Sequence, residues 1–193
     1  MMDQIKILGN EILSQYRYAL RKVTYSITRE DGSVQQQVRE AYDRGNGATI
    51  LLYNREAGTV ILTRQFRLPT FLNGNETGLL IETCAGLLEK ESPEESIRRE
   101  TEEETGYKIS AAKKIMEVYM SPGSVTEILY FFVAEYSAQM KVGEGGGLEE
   151  ENEDIEVLEM PFAKALALMK SGEIRDAKTI MLLQYAQIND LLG

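Results

Sequence analysis

The segment from Ser92 to Gly106 carries the start and stop signals of one helix, and the rest of the chain must be built around it. Ser92 offers a side-chain acceptor at the N-cap, Pro93 suits a first helical position that needs no backbone donor, and Glu95 completes a capping box. Gly106 stands where a left-handed stop belongs. These signals predict a helix over 93–105. The remaining apolar stretches are mostly short and strand-like: 47–53, 59–66, 79–83, 118–120, 127–136 and 155–158, with two further helices over 161–170 and 178–192. Upstream, 16–42 reads as a hairpin, because Asp31-Gly32 supplies the turn chemistry between two strand-like runs. Loops are expected at 73–76, 85–91, 121–124 and 143–154. Strands mixed with a few amphipathic helices predict an α/β sandwich, not a bundle or an all-β fold.

Composition narrows the chemistry. At 193 residues the chain is of a size for one domain with an N-terminal elaboration. It has no histidine and a single cysteine, Cys84. That removes Ser/His triads, histidine bases, thiolate metal clusters and disulfides, and leaves carboxylates and hard cations as the catalytic groups. Cys84 itself reads as a small buried hydrophobe. A net charge of -10 argues against a nucleic-acid surface, so an anionic substrate needs a metal or a local positive site. The apolar runs fall well short of the roughly 20 residues that span a bilayer. The N-terminus lacks a signal-like pattern, and a cytoplasmic protein without a membrane or nucleic-acid partner is expected.

The predicted helix carries Arg98-Arg99-Glu100-Thr101-Glu102-Glu103-Glu104-Thr105-Gly106. Glu100, Glu103 and Glu104 are spaced i, i+3 and i+4 and share a face, while Glu102 projects elsewhere. A solvated acidic face is the simpler reading of such a run. Yet like charges at this spacing repel, and the helix dipole disfavours anions in the C-terminal half. A divalent cation between Glu100 and Glu104 offsets both costs, since Mg²⁺ prefers carboxylate oxygens together with water and phosphates. Arg99 stands at i,i+4 from Glu103 and can pin that carboxylate.

Taken together, Gly86, Glu91, Arg99-Glu100, Glu103-Glu104 and Gly106 resemble the Nudix box: a glycine, five residues, a glutamate, seven residues, then Arg-Glu-x-x-Glu-Glu-x-Gly. Two departures stand out. Four residues, not five, separate Gly86 from Glu91, and Thr101 replaces the usual aliphatic residue. Further stretches, Arg39-Glu40, Tyr42-Asp43-Arg44-Gly45-Asn46-Gly47, Arg64-Gln65-Phe66-Arg67, Tyr119-Met120-Ser121-Pro122-Gly123 and Gly172 to Thr179, look like the ADP-ribose and GDP-mannose pyrophosphatase branch, closest to its GDP-mannose members.

The resemblance implies a Nudix-type α/β/α sandwich with a mixed sheet, a hydrolase domain over 45–193 and an N-terminal β-hairpin extension over 1–44 that helps form a homodimer. It implies Mg²⁺, or Mn²⁺, held by the Ala85 carbonyl, Glu100, Glu104 and Glu153, with Glu153, Glu103 and Arg99 in catalytic roles. Glu149, Glu150 and Glu151 lie close enough to compete with Glu153 for its role. The substrate contacts implied are Tyr18, Arg39, Glu40, Arg67, Ala85, Gly86, Leu87, Glu104, Glu127 and Lys178. Arg67 and Lys178 are the cations for the phosphates, Lys178 at a helix start where backbone donors also favour anions. The implied reaction is hydrolysis of a nucleotide sugar, GDP-mannose to GMP and mannose 1-phosphate. ADP-ribose is the rival substrate, and a non-catalytic nucleotide-binding module or a simple Ca²⁺ binder are rivals from other classes. Retention of the box carboxylates speaks against the module, and the lack of an EF-hand loop against the Ca²⁺ binder.

Overall fold

A computed structural model describes residues 2–148 and 154–193. The chain divides into two compact units, one of residues 1–46 with 118–128 and one of residues 47–117 with 129–193.

The first unit is built on three antiparallel strands in the order β1 (Met2–Gln15), β2 (Ala19–Arg29) and β3 (Val34–Asp43). The expected hairpin is its β2 and β3 half. At the turn, Gly32 adopts a φ of 79° and its amide donates to the Arg29 carbonyl, while Asp31 Oδ1 accepts from the Ser33 amide and hydroxyl. Strand β1 was not expected. Its pairing with β2 is interrupted by register shifts at Met2/Gln4, Ile7/Gly9 and Ile12/Ser14, and each shift breaks the period-2 alternation by which a strand is recognised. At the far end of β3 the Tyr42 amide donates to Ser124 and the Thr126 amide to Tyr42, which ties the 121–126 turn to this unit.

The second unit is organised by a mixed seven-stranded sheet. Its strands are β4 (Gly47–Asn54), β5 (Thr59–Phe66), β6 (Leu79–Glu82), β7 (Ala85–Leu87), β8 (Lys113–Tyr119), β9 (Ile128–Glu135) and β10 (Glu156–Pro161). The main path runs β10-β5-β4-β9-β8, with β6 paired to β5 and β7 to β4; β4 and β9 are parallel. Four helices complete it: α1 (Leu68–Leu72), α2 (Pro93–Thr105), α3 (Phe162–Ser171) and α4 (Ala177–Ile188). None of the helices among the described residues is long and apolar enough to cross a membrane.

Strand β4 is covered on both faces. Ala48, Ile50 and Leu52 join Ile61, Phe132, Ala134, Tyr107 and Ile97 of α2 in one core. On the opposite pleat Thr49 bonds Thr83, and Thr83 in turn meets Thr179 of α4. A strand buried on both faces reads as a near-continuous apolar run, and here its one polar side chain in 47–52, Thr49, has its hydroxyl hydrogen-bonded.

In the second unit three elements differ from expectation. The loop expected at 85–91 begins with β7, only three residues long and held by pairing of Ala85 with Thr49 across the sequence. Helix α1 precedes the loop at 73–76 and is too short to show periodicity. Strand β8 starts at Lys113, not at residue 118, because its exposed lysines mask a strand at the end of the sheet.

Two substitutions separate packing from capping. Ile97 is fully buried, and Ile97→Ala is expected to cost about 2–5 kcal/mol in urea unfolding, while Ser92→Ala, which removes the cap, costs about 1 kcal/mol. Equal losses would show that α2 is held by its ends and not by its buried face.

Candidate active site

Helix α2 spans the predicted residues and is closed at both ends. Ser92 Oγ accepts from the Glu95 amide at 3.3 Å, Glu95 Oε2 accepts from the Ser92 amide at 3.0 Å, and Gly106 is left-handed with φ 76°. The helix packs against β4 and β7, so its acidic face meets the strand carrying Ala85, Gly86 and Leu87. The approach is close. A Cβ on Gly86 would stand 2.1 Å from Glu100 Cδ, so only glycine lets the Glu100 carboxyl rest on this backbone.

Arg99 is the hub of the charged face. Its Nη1 donates to Glu103 at 2.7 Å, as the i,i+4 spacing predicts, its Nη2 to Glu100 at 2.9 Å, and its Nε to Glu91 at 3.4 Å. The contact with Glu100 goes beyond the sequence reading, in which Arg99 pinned Glu103 alone. Partial burial works against the guanidinium charge, but Glu100, Glu103 and Glu91 together hold its pKa above the ordinary value. Glu102 points away and pairs with Lys108 at the surface.

Glu104 lies on the inner side, only 2% exposed. Its Oε2 is buried with no hydrogen-bond donor against it among the described residues, while the same carboxylate interacts with the neighbouring Cys84 thiol. Burial first, and then the charge of Glu104, push the Cys84 thiol well up, so it stays protonated and fills the role of a buried small group.

Residues 142–147 form a strap across the C-terminal end of α2. The Val142 and Gly143 amides donate to the Gly106 carbonyl, Gly146 to Glu104 at 2.9 Å, and Gly147 to Glu103 at 3.2 Å. Gly145, Gly146 and Gly147 have φ of 72°, 108° and 82°, and a Cβ on Gly145 would lie 2.5 Å from the Glu104 carbonyl oxygen. The strap thus satisfies the main-chain carbonyls of the two glutamates and softens the negative end of the helix. Glu153, with Glu149, Glu150 and Glu151, lies outside the described residues.

The donor set suits a hard cation. Glu100 and Glu104 supply carboxylate oxygens on one helix face beside the main chain of β7, and the sulfur beside Glu104 is the protonated thiol of Cys84. No group of three acidic, cysteine or histidine side chains converges among the described residues. Mg²⁺ does not need one, since it completes its octahedron with carbonyl oxygen, water and substrate phosphates.

The two expected cations meet at a residue not anticipated, Glu82. Arg67 Nε donates to Glu82 Oε2 and Lys178 Nζ to Glu82 Oε1, both at 2.7 Å, and Lys178 also meets Asp176 at 3.0 Å. Lys178 is buried. It stands near the start of α4 as expected, but Asp176 caps that helix by accepting from the Thr179 amide at 3.0 Å. A glutamate closing the apolar run Leu79-Leu80-Ile81 was the available signal for a buried carboxylate.

Within the first unit, Tyr18, Arg44 and Glu127 come together. Arg44 lies 5.8 Å from the Tyr18 ring centre and 3.6 Å from Glu127, and Tyr42 meets Tyr18 edge-on. Tyr18 sits in the bend between β1 and β2, not in a strand as expected. Arg39 and Glu40 are exposed on β3, opposite Val23 and Lys22.

Comparison with known proteins adds to this geometry. The model of the NUDIX domain matches residues 43–183, and that of the GDP-mannose pyrophosphatase NudK N-terminal domain matches residues 4–42. Relatives named GDP-mannose pyrophosphatase from Shigella dysenteriae serotype 1 and Escherichia coli O157:H7 are each 55% identical over 192 residues, covering 100% of both chains. A solved structure described as an ADP compounds hydrolase shares the fold with a TM-score of 0.72, over 98% of this chain and 97% of its own, at 19% identity. The matched domain contains the carboxylate face of α2, its Gly86 platform and the strap that caps it, and the chain belongs to the Nudix family of hydrolases.

Proposed function

We propose that this chain hydrolyses the diphosphate of GDP-mannose to GMP and mannose 1-phosphate with Mg²⁺, Mn²⁺ serving as a substitute. The observation that carries the reading is the placement of Glu100 and the buried Glu104 on one face of α2 against the β7 backbone. The relatives named for GDP-mannose support the choice of sugar nucleotide.

In this reading the Ala85 carbonyl, Glu100, Glu104 and Glu153 hold the metal. Bound Mg²⁺ supplies charge neutralisation at the diphosphate and a water of lowered pKa. Glu153 is also assigned the proton of the attacking water. Arg99 and Glu103 keep the carboxylate face in register through their 2.7 Å pair. Arg67 and Lys178 supply positive charge to the phosphates, and the main chain of Ala85, Gly86 and Leu87 lines their seat together with Glu104. Tyr18, Arg39, Glu40 and Glu127 recognise base and sugar.

The proposal includes a cytoplasmic homodimer in which an extension over 1–44 from one subunit completes the site of the other, the hydrolase domain being 45–193. Ile5, Ile7, Ile12, Val34 and Val38 are exposed on the strands of that extension, an apolar surface of the kind that subunit interfaces cover. Light scattering at micromolar concentration should give the mass of two chains; a monomer removes the shared site.

The function is tested by phosphatase-coupled turnover of GDP-mannose and ADP-ribose, each with and without Mg²⁺. Faster Mg²⁺-dependent turnover of GDP-mannose is expected. A preference for ADP-ribose reassigns the substrate, and no turnover of either overturns the reading. Glu104→Gln is expected to keep the circular dichroism of the parent and lose orders of magnitude in turnover; retained activity would remove Glu104 from the metal site.

A further inference from the structure

The buried carboxylate of Glu82 has no place among the metal ligands, yet both cations meant for the diphosphate end on it. Its side chain is 4% exposed, and each of its oxygens holds one cation at 2.7 Å. The two cations differ in what else they have. Lys178, 11% exposed, keeps a second carboxylate, Asp176 Oδ1, at 3.0 Å. Arg67 is 39% exposed, and Glu82 is the one side chain it bonds among the described residues. A guanidinium tied through Nε still has donors to offer an anion, and losing the tie returns a long, flexible side chain to many rotamers.

Glu82 is itself held firmly. It ends β6 opposite Thr63 of β5, and its neighbour Thr83 donates its amide to Thr179 Oγ1 at 2.7 Å. Thr179 Oγ1 donates to Asp176 Oδ2 at 2.6 Å, so the contacts run from Arg67 through Glu82, Lys178, Asp176 and Thr179 back to Thr83, the residue that follows Glu82 at the end of β6. Two carboxylates balance two cations, and the set is neutral before substrate arrives. Two residues further along the chain from Thr83 lies Ala85, which opens β7 at the head of the Gly86 platform. The backbone that places Glu82 therefore also places the seat of the carboxylate helix.

We infer that Glu82 is a positioning residue: it fixes Arg67 so that the remaining guanidinium donors meet the diphosphate, while Lys178, secured by Asp176 as well, serves as the internal clamp. This inference rests on the diphosphate hydrolysis proposed above. Removing the charge of Glu82 leaves Lys178 a carboxylate partner and Arg67 none among the described residues, so the loss should be read through Arg67.

The test is a double-mutant cycle on the full-length chain, with kcat and KM measured for GDP-mannose in saturating Mg²⁺. Glu82→Gln is expected to raise KM by about tenfold with kcat within about twofold, the scale of one charge-assisted hydrogen bond lost from binding. Arg67→Ala is expected to raise KM at least as far, and adding Glu82→Gln to it should change KM no further. An unchanged KM in Glu82→Gln, or a full second loss in the double variant, overturns the inference. Should Glu82→Gln fail to give the circular dichroism of a folded chain, Glu82→Asp, which keeps the charge but draws it back, takes its place in the cycle with the same criteria. A parent protein that turns over neither GDP-mannose nor ADP-ribose instead overturns the functional reading, and the inference falls with it.

Discussion

Four glutamates fall within residues 100–104, at the end of a helix where its own dipole is negative, and the rest of the site is arranged around that concentration of charge. Left alone it would weaken α2, since like charges at i,i+4 and anions at a C-terminus each cost a few tenths of a kcal/mol or more. Arg99 takes up part of it by bonding Glu100, Glu103 and Glu91 at once. The strap at 142–147 takes up another part by donating amides to the carbonyls of Glu103, Glu104 and Gly106. Glu104 is buried all the same, beside a thiol held neutral by the same surroundings. A carboxylate kept inside in this way costs stability, and the proposed cation is the compensation assigned to it.

The sheet makes this arrangement rigid. With β4 buried on both faces, α2 has one packing solution on the Ile50 side and α4 another on the Thr49 side. The chain from Leu79 to Leu87 then runs along the sheet edge-on to both charged groups, first pairing β6 with β5 and then β7 with β4. Glu82 ends the first strand and Ala85 begins the second. A displacement of this segment would move the two cations on Glu82 and the glycine platform together, which ties that buried charge group to the carboxylate helix through main-chain pairing.

Glycine serves two different needs here. Gly86 is required for closeness: its backbone conformation is ordinary, and the obstacle to any side chain is the Glu100 carboxyl. Gly145 is required for both conformation and closeness, with a positive φ and the Glu104 carbonyl where a Cβ would go. The strap therefore grips the helix through its main chain and leaves the side chains of Glu103 and Glu104 to the charged face.

Residues 92–106 determined their own structure: cap, first-turn proline, capping box and left-handed stop are local interactions, and helix, limits and shared carboxylate face all followed from spacing. The family was legible for the same reason, because a motif confined to one helix and its preceding strand survives as a sequence pattern. The elements that escaped were those held by distant partners. Strand β7 exists through Ala85 opposite Thr49, β1 is hidden by bulges set against β2, and the meeting of Arg67 with Lys178 on Glu82 needs a bond from Glu82 to a residue 96 positions away. Glu82 reads in sequence as the polar end of a strand, as does many an exposed glutamate. Only the tertiary fold decided that it is buried with two cations upon it, because burial is a property of what packs around a residue and not of the residue itself.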